Sequence, residues 1–250
     1  MTLRDMALAA LSRFSQATVE SWTVGLVKRT ASRLPPAQGL RLLFRIEAAF
    51  YPLAGRLAVA YGGGEHVKHR HTGYHNFFVA RVEKGERVLD IGCGKGELAR
   101  DLASRAGARV VGIDNNDENV KAARSYLLPG DVTYGLADAT RDFPDGQFDV
   151  VVLSNILEHL KDRPAFLRRL ATRTGARGIL VRVPLFERDW RVPLKRELGV
   201  EWRLDPTHEI EYTAESFAAE VREAGFTIRH AEHRWGEIWA EILPDGNDRS

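Results

Sequence analysis

The sequence predicts an open α/β fold, in which helices cover both faces of a mainly parallel, seven-stranded β-sheet. After about Lys84, short runs rich in Val and Ile alternate with stretches of helical spacing, which is the pattern of βαβ units. The chain closes with two strand-like runs separated only by a turn at Gly236, which predicts a C-terminal antiparallel hairpin. Residues 1–84 read as helical, so we expect a helical N-terminal extension or lid before a sheet domain over residues 85–250.

The N-terminal extension combines two apolar helical patterns with a glycine-rich joint. The first pattern places five apolar side chains near one helical face: Leu8, Leu11, Val19, Trp22 and Leu26. Pro35–Pro36 interrupts it, and a second pattern over residues 43–50 is expected to end at Pro52. Gly62–Gly64 predicts a flexible joint, and residues 65–82 predict a polar loop that leads into a helix.

The sheet domain shows five buried strand patterns with helices between them. The strands are predicted over residues 87–92, 108–114, 132–138, 148–155 and 177–184. The helices are predicted over residues 97–106, 117–127, 162–173 and, with Thr213 as N-cap, 213–225. Right-handed crossovers would place these helices on both faces of the sheet. The long insert 185–212 follows the fifth strand, where open α/β sheets bind ligands, so we expect it to be a lid or binding element.

Composition and charge exclude several classes of protein. Among 250 residues, 36 Lys and Arg stand against 34 Asp and Glu, whereas a strong nucleic-acid binder has a larger basic excess. The single cysteine, Cys93, excludes an intrachain disulfide or a cysteine-rich zinc site, and favours a reducing cytoplasm. Residues 1–60 hold eight Lys and Arg against three Asp and Glu, so peripheral membrane contact is expected through residues 1–64. No pattern indicates an oligomeric state.

A glycine-rich turn between a strand and a helix is the strongest local signal. Gly92, Gly94 and Gly96 let the backbone bend sharply and approach a ligand closely. A dinucleotide fingerprint needs a small residue at position 97, where this chain has Glu97, and no P-loop sequence occurs. Asp90, two residues before the first glycine, favours a ligand that carries an amino group or a cation over a phosphate.

These motifs resemble the class I S-adenosylmethionine-dependent methyltransferases over roughly residues 85–243. Asp90 to Gly96 match the family's D-x-G-x-G-x-G motif, and Asp114 stands at the position of the acid that binds the ribose hydroxyls. Asp138 corresponds to the acid near the adenine, and Asn155 to the end of the fourth strand. The resemblance implies a Rossmann-like fold, S-adenosyl-L-methionine as cofactor, and ten cofactor-binding residues. They are Asp90, Gly92, Cys93, Gly94, Gly96, Asp114, Asn115, Asp138, Ala139 and Asn155.

Structural alternatives stand beside these assignments. A glycine turn can serve only as a tight connection, Asp114 and Asp138 can cap helices, and Cys93 can be a small residue whose backbone alone matters. The two candidate bases are His159 and His208, because a neutral hydroxyl acceptor needs a proton acceptor or a metal. The alternative for His159 is a helix-capping or core-polar role, and the alternative for His208 is a loop-fixing hydrogen bond. No metal ligand is assigned.

The acceptor is predicted less directly than the cofactor. Residues 154–157 lack the Asn/Asp-Pro-Pro-Tyr/Phe motif of amino-methylating nucleic-acid enzymes, which favours a hydroxyl on a small molecule, lipid or glycan. Five residues are expected to bind it: Arg70, Tyr74, His75, Trp190 and Asp205. Tryptophans in the insert and tail, and a loose resemblance to methyltransferases of bacterial polysaccharide biosynthesis, favour a glycan or glycolipid. A quinone, lipid or natural-product acceptor at the membrane surface, or a non-catalytic scaffold, are the alternatives.

Overall fold

The computed structural model describes residues 14–126, 131–144 and 146–246, which form two compact units. The first unit contains the described residues up to Gly64 together with Pro193–Trp202. The second contains Glu65–Val192 and the chain from Arg203 onward. Leu8 and Leu11 of the predicted first helical face lie outside the described residues.

The first unit contains two consecutive helices, α1 (Gln16–Arg33) and α2 (Pro36–Tyr61). The side chain of Ser15 caps α1 by accepting a hydrogen bond from the amide of Thr18, and Pro36 occupies the first turn of α2. A Cβ atom on Gly39 would stand 2.8 Å from the Ala31 carbonyl oxygen, so a glycine lets α2 approach α1 closely.

The predicted end of the second helix at Pro52 is wrong, because α2 continues through Pro52 to Tyr61. A proline inside a helix removes one amide donor and leaves the carbonyl four residues earlier without its partner. That carbonyl belongs to Ala48, and both Ala48 and Pro52 are exposed, so water can satisfy it. None of the described helices is long and apolar enough to cross a membrane.

The second unit is built on the predicted seven-stranded, mainly parallel sheet. Its strands are β1 (Arg87–Ile91), β2 (Arg109–Asp114), β3 (Asp131–Leu136), β4 (Val150–Ser154), β5 (Gly178–Pro184), β6 (Phe226–Arg234) and β7 (Glu237–Pro244). They lie in the order β3-β2-β1-β4-β5-β7-β6, and β7 runs antiparallel to both of its neighbours. The Rossmann-like fold class and the C-terminal antiparallel hairpin are therefore confirmed.

Helices precede and connect these strands. They are α3 (Lys68–Thr72), α4 (Tyr74–Val79), α5 (Glu97–Asp101), α6 (Asp117–Ser125), α7 (Arg163–Thr174) and α9 (Ala214–Glu223). Between α7 and α9 the chain forms α8 (Arg191–Glu197), most of which belongs to the first unit. α5 continues as a π-helical turn over Leu102–Ala106, and 3₁₀ turns occupy Leu157–His159 and Phe186–Arg188. The insert 185–212 thus holds short helical segments instead of one long loop.

The core lies on both faces of the central strands, since successive side chains of a strand point to opposite faces. Leu89 and Val151 belong to one buried cluster, whereas Val88 and Val150 belong to the other. Such strands read as continuous apolar runs, which is why the sequence revealed them clearly.

The compact units divide at Gly64, ahead of the boundary predicted at Lys84. The physical reason is the aromatic pair on α4. Phe77 and Phe78 are 4% and 0% exposed and share a cluster with Trp239 of β7, at 5.9 Å between the Phe77 and Trp239 ring centroids. Because the residues around this pair are mostly polar, the sequence did not indicate that the pair belongs to the core.

We expect Phe78→Ala to lower the free energy of unfolding by about 3–5 kcal/mol, because it removes a fully buried ring. Urea unfolding followed by circular dichroism measures this. Phe50→Ala is the matched control, since Phe50 is 56% exposed on α2 and should cost little. Equal losses in the two variants would contradict the placement of α4 in the sheet unit.

Candidate functional site

A cavity of about 710 Å³ opens at the carboxyl ends of β1, β2 and β4. Its size falls in the range of small-molecule sites, and its position matches the ligand crevice of open α/β sheets. Nine of the predicted site residues line it: Gly92, Gly94, Asp114, Asn115, Asp138, Ala139, Asn155, His159 and Asp205. Apolar walls come from Ile91, Ile113, Ala137, Ile156, Leu160 and Phe166.

The turn after β1 needs glycine at its three predicted positions. Gly92, Gly94 and Gly96 have φ values of 70°, 56° and 80°, a region that other residues rarely adopt. A Cβ atom on Gly92 would stand 2.1 Å from the side chain of Ile156, whereas Gly94 has open space around that position. The middle glycine therefore leaves room for a ligand to approach the backbone.

Asp114 ends β2 and joins three parts of the site. One carboxylate oxygen accepts a hydrogen bond from the Gly94 amide at 2.9 Å, and the other accepts from the Asn116 amide at 2.8 Å. Asn119 of α6 donates to the same second oxygen at 3.3 Å. These bonds hold a nearly buried carboxylate at the cavity wall, where it can accept hydrogen bonds from ligand hydroxyls.

Asp90 lies behind the glycine turn and does not line the cavity. It is 1% exposed, and its Oδ2 atom has no hydrogen-bond partner among the described residues. Burial, with the nearby carboxylates of Asp114 and Glu97, raises the pKa of Asp90 to about 7. A buried carboxyl oxygen without a partner fits a ligand that brings an ammonium group close to the turn.

Asp138 and Asn155 complete the polar rim of the cavity. The hydroxyl and amide of Thr140 donate to Asp138, and these bonds lower the pKa of its carboxyl group, which stays ionised. Asn155 adopts a left-handed φ of 60°, and its Oδ1 atom is buried without a partner among the described residues. Such strain in a non-glycine residue is typical of functional sites.

Gly96 and Cys93 support the turn without lining the cavity. A Cβ atom on Gly96 would stand 2.3 Å from the hydroxyl of Tyr134, so this glycine serves packing. Cys93 is buried, and burial raises the pKa of its thiol, which makes it an unreactive side chain.

Two histidines and a glutamate form a cluster beside the cavity. The described residues Glu158, His159 and His208 each offer one ligand atom, and these atoms lie within 4.8 Å of one another. The rings of His159 and His208 meet edge to face at 4.7 Å between centroids. Only His159 of the three lines the cavity.

The hydrogen bonds of His159 determine which ring nitrogen carries its proton. The Thr207 hydroxyl donates to Asp205 at 2.7 Å, so it can only accept from Nδ1 of His159, which lies 3.0 Å away. The neutral ring therefore has its lone pair on Nε2. Burial and the neighbouring His208 lower the pKa of His159, which keeps it neutral near pH 7.

His208 has an analogous arrangement with a buried carboxylate. Its Nδ1 atom lies 3.0 Å from Glu211, which also accepts hydrogen bonds from Arg188 and from the Leu204 amide. Burial alone would raise the pKa of Glu211, but these hydrogen bonds hold it below its usual value. Because Glu211 is ionised, Nδ1 of His208 donates to it, and the neutral form of this ring would have its lone pair on Nε2.

Glu158 is the unexpected member of the cluster. It is 0% exposed, neither carboxylate oxygen has a partner among the described residues, and burial raises its pKa to about 8. With the two histidines it forms a donor set that could hold a divalent metal ion, although no metal ligand was predicted. Without an ion, the neutral ring of His159 can accept a proton.

Most residues predicted to bind the acceptor lie away from the cavity. Tyr74 is buried beneath the guanidinium of Arg182, 3.9 Å from its ring centroid, and His75 bonds to Asp101 at 3.0 Å. Trp190 is 71% exposed, and Arg70 is also exposed. Of the five residues predicted to bind the acceptor, Asp205 alone lines the cavity. The roles of all five toward an acceptor stay predictions.

The sequence analysis assigned no role to Arg182, which is buried. It pairs with Glu237, and its main-chain carbonyl accepts from the Asn155 amide at 2.8 Å. Its signal was an arginine inside the apolar run 177–184, because a charge within a buried strand requires a partner. Glu158 is the neighbour of His159 in the sequence, but its position after the fourth strand is typical of an exposed helix residue.

The cavity fits S-adenosylmethionine on this chain's own features. Asp114 would hold the ribose hydroxyls, and Asp138 would lie near the adenine. The open space at Gly94, with the buried and unpartnered Oδ2 atom of Asp90 at the end of the preceding strand, suits the amino-acid end. No cluster of basic side chains typical of a pyrophosphate site lines the described cavity.

Comparisons with known proteins agree with this fit. The chain is 34% identical over 180 residues to 2-methyl-6-phytyl-1,4-hydroquinone methyltransferase of Synechocystis sp., covering 65% of this chain and 56% of that protein. It is 35% identical over 134 residues to the ubiquinone biosynthesis O-methyltransferase of Bradyrhizobium diazoefficiens, covering 50% and 51%. The chain therefore spans about half the length of these curated relatives.

A solved structure and a family match complete the comparison. The magnesium protoporphyrin IX methyltransferase of Synechocystis PCC 6803, with bound SAH, aligns with a TM-score of 0.55 at 20% identity, over 70% of this chain and 84% of that one. This likeness shows the fold. Residues 64–231 match a family described as a methyltransferase domain. Since this match extends over more than half of the chain, the protein belongs to the methyltransferase-domain family.

Proposed function

We propose that this protein transfers a methyl group from S-adenosylmethionine to a hydroxyl group of a hydroquinone-like acceptor. The observation that carries the proposal is His159, which lines the cofactor cavity and whose Nδ1 atom is bonded to the Thr207 hydroxyl, so that the neutral ring has its lone pair on Nε2. A proton acceptor on the cavity wall is what oxygen methylation requires, because a neutral hydroxyl is a poor nucleophile. The names of two relatives, a hydroquinone methyltransferase and a ubiquinone biosynthesis O-methyltransferase, support the acceptor class.

The cofactor supplies an electrophilic methyl group on a sulfonium sulfur. Asp114 binds and orients the ribose, and the open backbone at Gly94 admits the amino-acid end. Ile156, Leu160 and Phe166 provide apolar walls that exclude water from the reacting atoms. The protein's contribution is mainly alignment of the acceptor oxygen with the methyl group.

His159 removes the proton from the acceptor hydroxyl as the new bond forms. The hydroxyl proton passes to Nε2, the oxygen attacks the methyl carbon, and the carbon–sulfur bond breaks to leave S-adenosylhomocysteine. The developing imidazolium keeps its Nδ1 bond to Thr207, which in turn donates to Asp205. These two hydrogen bonds connect the positive charge that forms on the His159 ring to the carboxylate of Asp205.

A quinol acceptor is favoured over the saccharide that the tryptophans suggested. Trp239 is fully buried in the core, and Trp190 and Trp235 are exposed without lining the cavity. The cavity walls present aliphatic and phenyl groups, which suit an aromatic acceptor with an apolar tail.

Incubation with S-adenosylmethionine and a panel of hydroquinones tests the activity, with mass spectrometry to detect addition of one methyl group. The matched control is each acceptor in its oxidised quinone form, which has no hydroxyl group. Carbon-13 NMR of the product distinguishes a methoxy group from a ring methyl group. Methylation of ring carbon, or of saccharides only, would overturn the proposal, and absence of any product would favour a scaffold.

We expect Asp114→Asn to weaken binding of S-adenosylhomocysteine at least about tenfold, because it removes a charged acceptor for the ribose hydroxyls. Isothermal titration calorimetry measures the dissociation constant. Glu118→Gln, on the exposed side of α6, is the control and should bind as the wild type does. Normal binding by Asp114→Asn would show that the ribose lies elsewhere.

We expect His159→Gln to lower kcat about 10²–10⁴-fold while cofactor affinity stays within a factor of about three. Glutamine keeps a polar group of similar size but cannot take the proton. Single-turnover kinetics with calorimetry on the same sample separates the two effects. A parallel loss of kcat and of cofactor binding would assign His159 to binding instead.

The pH profile should report the lowered pKa of His159. The neutral ring is the active form, so kcat should fall as pH decreases through a value below the usual 6.5 of histidine. This acid limb should be absent from the residual activity of His159→Gln. A limb that persists in the variant would assign the titration to another group.

A further inference from the structure

The first compact unit exposes far more apolar surface than the sheet unit. Ten of the fifteen large exposed apolar side chains among the described residues lie on residues 14–61, which we name the amphipathic hairpin. They are Phe14, Trp22, Val24, Leu26, Leu43, Phe50, Tyr51, Leu53, Leu57 and Tyr61. Isolated exposed apolar residues are ordinary, but a concentration of this kind marks an interaction surface.

Five of the six that lie on α2, all except Tyr51, form one stripe. Leu43, Phe50, Leu53, Leu57 and Tyr61 follow one another at intervals of seven, three, four and four residues, which places them on one helical face. They are between 41% and 82% exposed. By contrast, Phe44 on a different face is buried, with the ammonium of Lys195 at 5.2 Å from its ring centroid. Only Gly39 and Phe44 of α2 are buried, so the described residues leave the stripe exposed.

The first helix adds aromatic surface of the same type. Trp22 and Leu26 are one turn apart on α1, and Phe14 packs edge to face against Trp22 at 4.8 Å between ring centroids. Tryptophan and tyrosine rings concentrate at the boundary between lipid headgroups and acyl chains.

The charge of the hairpin selects the kind of partner. Residues 14–61 hold six Lys and Arg against two Asp and Glu. Arg45 and Arg56 lie to one side of the apolar stripe, roughly a third of a helical turn from its centre. Long arginine stems can bury their methylene groups beside an apolar surface while the guanidinium stays at the headgroups. A second copy of this chain would bring an equally basic surface against the first.

We propose that the amphipathic hairpin docks on an anionic lipid bilayer, with the stripe of α2 inserted at the level of the headgroups. Neither helix can cross the bilayer, so this is an interfacial mode of binding. The proposal goes beyond the methyl transfer and does not depend on which acceptor is methylated. Docking would bring the enzyme to the surface that holds apolar acceptors.

Co-sedimentation of the full chain with phosphatidylcholine vesicles, with and without phosphatidylglycerol, tests the proposal. We expect binding to the mixed vesicles, weaker binding to phosphatidylcholine alone, and loss of the difference at high salt. The double variant Phe50→Ser with Leu57→Ser should lower the partition coefficient about tenfold or more on mixed vesicles. Arg45→Gln with Arg56→Gln should lower it roughly tenfold on mixed vesicles and little on neutral ones.

Leu136→Ser is the matched control, because Leu136 is 56% exposed on β3, outside the hairpin, and should leave vesicle binding unchanged. Calorimetry with S-adenosylhomocysteine on each hairpin variant confirms that the sheet unit is folded, so failure of docking is distinct from failure of the proposed function. Equal binding to both vesicle types, or unchanged binding by the Phe50/Leu57 variant, would overturn the proposal. A dimer in sedimentation velocity that the same variant dissociates, without vesicle binding by the wild type, would assign the surface to a second copy instead.

Discussion

The carboxylate of Asp114 is the interaction on which the site depends, because it links the ends of two neighbouring strands. It receives the Gly94 amide from the turn after β1 and the Asn116 amide at the start of α6. The turn can meet it only because three glycines with positive φ fit into five residues. The carboxylate of Asp114 therefore fixes the glycine turn and the start of α6 relative to the end of β2.

A second buried charge organises the opposite side of the strand ends. Arg182 of β5 pairs with Glu237 of β7 and covers the ring of Tyr74 from α4. A buried ion pair of this kind adds little net stability, but it holds its partners in one geometry.

Five of the described residues have buried polar side-chain atoms without a hydrogen-bond partner: His69, His75, Asp90, Asn155 and Glu158. Buried polar atoms without a hydrogen-bond partner are rare in folded proteins. Their concentration in residues at or near the carboxyl ends of the strands is therefore a sign of function.

The fold could be predicted because its signals are local. The parallel strands are apolar runs, and the glycine turn with Asp90 and Asp114 has a fixed spacing along the chain. The glycines at 62–64 indicated a joint, but the place of residues 65–84 in the sheet unit could not be predicted, since Phe77 and Phe78 share their cluster with Trp239, which is distant in sequence. The end expected at Pro52 failed because local proline rules do not include the solvent exposure of the freed carbonyl.

The candidate site was predictable on the cofactor side and less so on the acceptor side. Cofactor residues follow strand ends, which the sequence pattern locates. The cluster of Glu158, His159 and His208 joins segments almost fifty residues apart through the insert, and only the folded chain brings them together. The tautomers of both histidines depend on Thr207 and Glu211, whose part is visible only in three dimensions.

The position of β7 between β5 and β6 has a consequence for synthesis on the ribosome. The sheet contains this strand in its interior although it is the last strand of the described chain. A nascent polypeptide that has not yet reached Glu237 leaves β5 as an open edge, with Arg182 lacking its counter-ion. Prematurely terminated products would therefore be unstable and prone to aggregate, which makes completion of translation a condition for a folded sheet.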